Sequence, residues 1–152
     1  MLKLTALAAL AGVSLVGLPL VGDKEWKATL AGRNGSPVEG TAEVDAKSAD
    51  STKMDVEIKK ATASTSYAWH MHNGNCAANG SVVGAMDAYP MLKTDETGSG
   101  EIEVTLAVPP PSAGEYSVHV HAPAADTAAA GQAIACGDLK PSDKSNLKPG
   151  EK

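Results

Sequence analysis

The residues best able to do chemistry in this chain are its four histidines and two cysteines. Residues i and i+2 of a β-strand point to the same side of a sheet, so a His-x-His pair presents two imidazoles on one strand face. If two such strands lie close together, four neutral nitrogens converge. Imidazole suits copper, zinc, iron and nickel, and a tetragonal nitrogen set suits Cu(II) in particular. The chain carries these residues in the order His70-Met71-His72, Cys76, His119-Val120-His121, Cys136.

The spacing therefore predicts a metal site formed by His70, His72, His119 and His121. A single outward-facing His-x-His pair is more often ordinary polar surface than a metal site. Here two pairs use every histidine of a chain that has few, and cysteines lie near both pairs. Metal binding is therefore the favoured interpretation, and polar surface is the alternative.

The elements that must position these residues are short β-strands. Apolar residues alternate with polar ones at period two, and turns rich in Gly, Ser, Asn and Pro separate the runs. Short alternating strands at this spacing predict an all-β sandwich or barrel. The alternating apolar sets are Trp26-Ala28-Leu30, Val38-Ala42-Val44, Met54-Val56-Ile58, Tyr67-Trp69-Met71, Ile102-Val104-Leu106-Val108 and Tyr116-Val118-Val120.

The same alternation assigns the histidines to the outer face of their strands. Trp69 and Met71 occupy the apolar face of the first strand, so His70 and His72 must occupy the other. On the second strand Val118 and Val120 occupy the apolar face, so His119 and His121 must also occupy the other face. We therefore expect all four imidazoles outside the core, at a site open to solvent.

The N-terminal segment indicates export. One early lysine precedes an uncharged run over residues 4–22, and a polar sequence begins at Asp23. This pattern is typical of a secretory signal peptide over residues 1–22, with an uncleaved membrane anchor as the alternative. We expect a periplasmic or secreted protein that has no membrane association after cleavage. Residues 23–140 would form one domain, and residues 141–152 a polar flexible tail.

The net charge limits the binding partners that the protein can have, and the cysteine content indicates the redox state of its cysteines. The formal net charge is −5, and no basic cluster stands out apart from Lys59-Lys60. Nucleic acid is therefore not an expected partner, because binding phosphates needs a basic face. In an oxidising compartment two cysteines most simply form one disulfide, and two free buried thiols are the alternative.

Three segments resemble the Cu/Zn superoxide dismutase superfamily. Residues 70–76, His-Met-His-Asn-Gly-Asn-Cys, resemble its His-x-His segment, and residues 114–121 resemble the strand that carries its last copper histidine. Residues 135–139, Ala-Cys-Gly-Asp-Leu, are similar to its terminal strand. Order and rough spacing hold over residues 26–139, nearly the whole mature chain.

The resemblance implies an eight-stranded Greek-key β-barrel with one copper ion bound outside it. The copper ligands would be His70, His72 and His121. A disulfide between Cys76 and Cys136 would tie the loop after the first copper strand to the barrel.

The chain also departs from the family pattern. No histidine occurs between Asn73 and Gly100, so the zinc subsite and the bridging histidine are missing and zinc is not expected. We expect His119 to supply a fourth copper nitrogen in their place. Ala133 stands where the family carries an arginine three residues before the cysteine, and the only arginine of the chain is Arg33, in an early turn.

These departures place the chain nearer the copper-only and dismutase-like branches, which leaves the function open. One hypothesis is an exported copper protein that dismutates superoxide. Another is a non-catalytic periplasmic copper carrier, in which Met86 and Met91 could contribute thioethers that favour Cu(I). A structural barrel with vestigial histidines is the third. Monomer and homodimer are both compatible with the sequence.

Overall fold

The computed structural model describes residues 24–78, 80–123 and 131–143. These residues form ten strands and a single 3-10 turn, Met86–Ala88, and contain no α-helix. The strands are β1 (Lys24–Gly32), β2 (Glu39–Ser48), β3 (Ser51–Lys59), β4 (Ser66–Tyr67), β5 (Trp69–Asn73), β6 (Leu92–Lys93), β7 (Gly100–Leu106), β8 (Tyr116–His121), β9 (Ala133–Asp138) and β10 (Lys140–Asp143). The all-β prediction is confirmed. The predicted signal peptide, residues 1–22, lies outside the described residues.

Eight strands form one antiparallel sheet that curls into a half-barrel. Its order is β5-β8-β9-β1-β2-β3-β7, with β10 paired to β1, and β4 pairs with β6 in a separate two-stranded sheet. Along the described segments, no helix is long and apolar enough to cross a membrane.

The core lies on the concave side, where the alternation predicted it. Along β3 every second residue is buried, and Met54 and Val56 face Val44 and Ala42 of β2 across the ladder. Among the described residues Trp69 is the largest fully buried side chain, and its indole N–H donates to the carbonyl of Pro90 at 2.8 Å.

The C-terminal strand differs from the sequence-based boundary. The flexible tail was expected to begin at residue 141, but Pro141 pairs with Trp26 of β1 and the strand continues to Asp143. Proline lacks an N–H donor, yet it is tolerated at the margin of a sheet. Residues 144–152 lie outside the described part of the chain.

The pairing of β5 with β8 positions the histidines. Trp69 opposes Val120 and Met71 opposes Val118, and these apolar pairs all lie in the core. In the alternate register His70 opposes His119 on the other face of the same two strands. A period-two pattern thus delivers both His-x-His pairs to one side of the sheet.

Candidate metal centre

Three histidines converge on the outer face of β5 and β8. One ring nitrogen from each of His70, His72 and His121 lies within 4.8 Å of the other two. A single ion bonded to each nitrogen at about 2 Å would need only small side-chain movements to bridge that spacing. We call these residues the histidine triad.

Backbone carbonyls fix the orientation of two members of the triad. His72 Nδ1–H donates to the carbonyl of Gly80 at 2.8 Å, and His121 Nδ1–H donates to that of Gly131 at 2.9 Å. Because Nδ1 carries the proton, the lone pair of each ring is on Nε2. Both Nε2 atoms are buried and have no hydrogen-bond partner. A ligand held by a hydrogen bond to its other ring nitrogen is the usual arrangement at a metal site.

Aromatic side chains pack around His70, the third member of the triad. The His70 ring meets the edge of Tyr89 at a centroid distance of 5.2 Å, and Tyr89 packs edge-on against Trp69 at 5.3 Å. The Tyr89 hydroxyl donates to the carbonyl of Val83 at 2.7 Å, which locks the ring in place. His70 Nδ1 is buried without a partner, so the third ring of the triad also has a buried nitrogen that makes no hydrogen bond.

Burial favours the neutral form of two members of the triad, His70 and His121, and metal ligation requires that form. Burial, with smaller effects of His121 and His72, lowers the pKa of His70 from 6.5 to about 4. Burial also lowers the pKa of His121, against an opposing hydrogen bond to Gly131. The ring lone pairs of His70 and His121 are therefore free near neutral pH.

His119 lies beside the triad but faces a different neighbour. Its ring stacks near that of His72 at a centroid distance of 4.3 Å, and its Nε2 lies 3.0 Å from the Ser117 hydroxyl. A ring nitrogen of His119 lies within 4.8 Å of both sulfurs of Cys76 and Cys136. The structure thus groups His119 with the cysteines, and its role as a fourth copper ligand stays a prediction.

The site is more buried than the alternation suggested. The four imidazoles lie outside the apolar core, as expected, but they are only 1–6% exposed rather than open to solvent. The reason is that the chain after β5 folds back over them, with Val82 bridging to His72, while Gly131 closes the other side.

Access is through a cavity of about 490 Å³ that reaches three of the histidines. Its wall includes His72, His119 and His121, the exposed thioether of Met86, and Arg33. Met91 is also exposed, but it is not part of this wall.

The position of Arg33 was not foreseen from the sequence. Its main-chain N–H donates to Ile134 at 2.8 Å, and the neighbouring Asn34 side chain donates to Ala133 at 2.9 Å. The turn after β1 therefore packs against the start of β9. The guanidinium of Arg33 donates to the main-chain carbonyl of Cys76 at 3.1 Å. Burial, followed by His72 and His121 and then by the Arg33 charge, lowers the pKa of His119 to about 4. Position 133 is an alanine rather than an arginine, but the positively charged side chain of Arg33 forms part of the cavity wall.

The disulfide between Cys76 and Cys136 is present, with the two Cα atoms 5.9 Å apart, and neither cysteine is free. This confirms the predicted pairing and is consistent with an oxidising compartment. The Cys76 N–H also donates to the carboxylate of Asp138 at 2.7 Å, so the loop after β5 is joined to β9 twice.

No protein-family model matches this chain, and no curated protein matches it.

Proposed function

We propose that this protein is an exported copper-binding protein of the superoxide dismutase-like type, held in the periplasm or secreted, and that it dismutates superoxide. The observation that carries the proposal is the histidine triad. One ring nitrogen from each of His70, His72 and His121 lies within 4.8 Å of the other two, and each of these buried rings has a nitrogen without a hydrogen-bond partner.

The donor set favours copper over other ions. All three ligands are neutral nitrogens, and divalent copper binds such sites more tightly than its first-row neighbours do. Calcium and magnesium prefer oxygen ligands, which the triad lacks. Zinc also binds imidazole, so a competition titration with copper and zinc is needed to identify which metal the triad prefers.

The substrate of the proposed reaction is superoxide, a small anion. In dismutation one superoxide is oxidised to dioxygen, and another is reduced with two protons to hydrogen peroxide; bound copper would supply the one-electron redox chemistry. The chain supplies the surroundings. Arg33 places a positive charge in the wall of the cavity that leads to His72 and His121, and such a charge attracts a small anion.

The test uses the oxidised mature protein loaded with metal. Calorimetric titration with Cu(II) should give one tight site, and His72→Ala should weaken it by at least about a hundredfold, since a ligand is lost. His119→Ala then tests the fourth ligand predicted from the sequence: a loss comparable to that of His72→Ala assigns His119 to the site, and an unchanged affinity excludes it. Unchanged Cu(II) affinity in a His70→Ala, His72→Ala double variant would contradict the assignment of the copper site.

Stopped-flow decay of superoxide then tests the activity. Copper-loaded protein that removes superoxide no faster than the metal-free protein would contradict the proposed dismutation.

Met86 favours a second candidate function, copper carriage. Its thioether is exposed in the wall of the same cavity, and thioethers favour Cu(I). A carrier would therefore bind Cu(I) more weakly after Met86→Leu. Met91→Leu is the matched control, because Met91 is similarly exposed outside the cavity wall. Competition with a chromophoric Cu(I) chelator measures the Cu(I) affinity of both variants. Equal affinities in the two variants would argue against a role for Met86.

A further inference from the structure

We infer that Cys76, Cys136 and His119 form a second metal site, specific for a soft ion such as Cu(I), when the disulfide is reduced. The site is separate from the histidine triad and does not depend on whether the triad binds copper. Reduction opens it and disulfide formation closes it.

The geometry of the three side chains carries the inference. Both sulfurs and a ring nitrogen of His119 lie within 4.8 Å of one another. The Cα atoms of Cys76 and Cys136 are 5.9 Å apart, so two separated sulfurs can share one ion without a large backbone movement. Two thiolates and an imidazole make a soft donor set, which selects Cu(I).

His119 supplies an independent observation. Its side chain is only 2% exposed, and Nδ1 has no hydrogen-bond partner. When Nε2–H donates to the Ser117 hydroxyl, the lone pair is on Nδ1. A buried nitrogen without a partner is rare in folded proteins and calls for an explanation. Metal ligation beside the two sulfurs would satisfy it.

The loop that carries Cys76 is held in place by more than the disulfide. The Cys76 carbonyl accepts from Arg33, and its N–H donates to Asp138. Just before it, the Gly74 N–H donates to the Glu115 carbonyl at 2.7 Å, and the Asn75 side chain donates to the Glu115 carboxylate at 3.0 Å. Breaking the S–S bond therefore leaves the two sulfurs close to each other and to His119.

The redox step balances with a dithiol as reductant. The S–S bond takes up two electrons and two protons from the dithiol and becomes two thiols, while the dithiol becomes a disulfide. Metal binding then displaces the thiol protons to solvent. Cys76 lines the cavity, which gives reductant and ion a path.

The experiment counts Cu(I) ions bound under anaerobic conditions by native mass spectrometry. The protein is reduced with a phosphine, which is removed by anaerobic desalting before Cu(I) is added, because phosphines and thiols both bind Cu(I). The reduced wild-type protein should bind one more Cu(I) than the oxidised protein and should show a thiolate-to-copper charge-transfer absorption in the ultraviolet. The Cys76→Ser, Cys136→Ser double variant should bind no additional ion. His119→Ala should weaken the additional site by at least about tenfold, as loss of a ligand does.

Equal Cu(I) counts in the reduced and oxidised proteins would overturn the inference, and so would an unchanged affinity in His119→Ala. Circular dichroism of the reduced protein and of each variant establishes that the fold persists. The triad is tested separately by Cu(II) titration of the oxidised protein, so failure of one site is distinguishable from failure of the other.

Discussion

The guanidinium of Arg33 donates a hydrogen bond to the main-chain carbonyl of Cys76, at 3.1 Å and across 43 residues of sequence. This contact places the only arginine of the chain in the wall of the cavity that leads to His72 and His121. A residue in a turn after β1 thus supplies the positive charge that position 133 lacks.

Removing the Arg33 charge should slow capture of superoxide and weaken its salt dependence. We expect Arg33→Ala to lower the second-order rate about tenfold at low ionic strength, the smaller end of the range for electrostatic steering. Arg33→Lys keeps the charge and should lose much less. Stopped-flow decay across a salt series measures the rate, since salt screens an attraction of this kind. Azide binding to the Cu(II) protein should weaken in parallel, and equal azide affinity in Arg33→Ala and wild type would contradict the role.

Gly80→Ala should weaken metal binding without removing a ligand. A Cβ at position 80 would collide with the carbonyl of Asn73, so the Gly80 carbonyl that orients His72 must move. Loss of such an orienting contact costs about 10–100-fold in metal affinity. Cu(II) titration measures the change, with Ala78→Ser as a control in the same exposed segment. Wild-type affinity in Gly80→Ala would show that the carbonyl contact is dispensable.

The metal-free protein should lose stability as the pH falls. Burial lowers the folded-state pKa of His70 and of His119 from 6.5 to about 4. Between these values the unfolded chain binds more protons than the folded one, so the free energy of unfolding rises with pH. Stability contributed by these groups is full above about pH 7 and is lost as the pH falls through 6.5 toward 4.

Urea unfolding of the metal-free protein at several pH values measures this slope. His70→Gln removes one titrating group and should make the slope shallower. An identical slope in this variant would mean that His70 does not titrate as its burial implies.

Removing the disulfide should destabilise the fold while leaving the histidine triad able to bind. The bridge joins residues 60 apart in sequence, and the chain-entropy model assigns a loop of this length about 4 kcal/mol. Denaturant unfolding of the Cys76→Ser, Cys136→Ser double variant against wild type tests the value. Because hydrogen bonds from Arg33 and to Asp138 still hold the loop, Cu(II) affinity of the double variant should fall much less than that of His72→Ala. A loss as large as that of His72→Ala would show that the disulfide alone positions the site.

The strands and their inward faces followed from the sequence because alternation at period two is a local property. Trp69 and Met71 point to the core, and the intervening histidine must therefore point away from it. The disulfide was also predicted from the sequence, since two cysteines allow only one intramolecular pairing. Alternation also placed each His-x-His pair on one face of its strand. The pairing of β5 with β8, which brings His70, His72 and His121 together, was decided by the tertiary structure.

What lies against that outer face was decided only by the tertiary structure. Burial of the histidines depends on the chain after β5 folding back, so that Gly80 meets His72, and on Gly131 meeting His121. The grouping of His119 with the cysteines and the reach of Arg33 into the cavity likewise join residues distant in sequence. Alternation fixes the side of the sheet to which a residue points, but it carries no information about which distant loop covers that side. These contacts arise from the packing of loops whose sequences have no period, which is why they could not be predicted from the sequence.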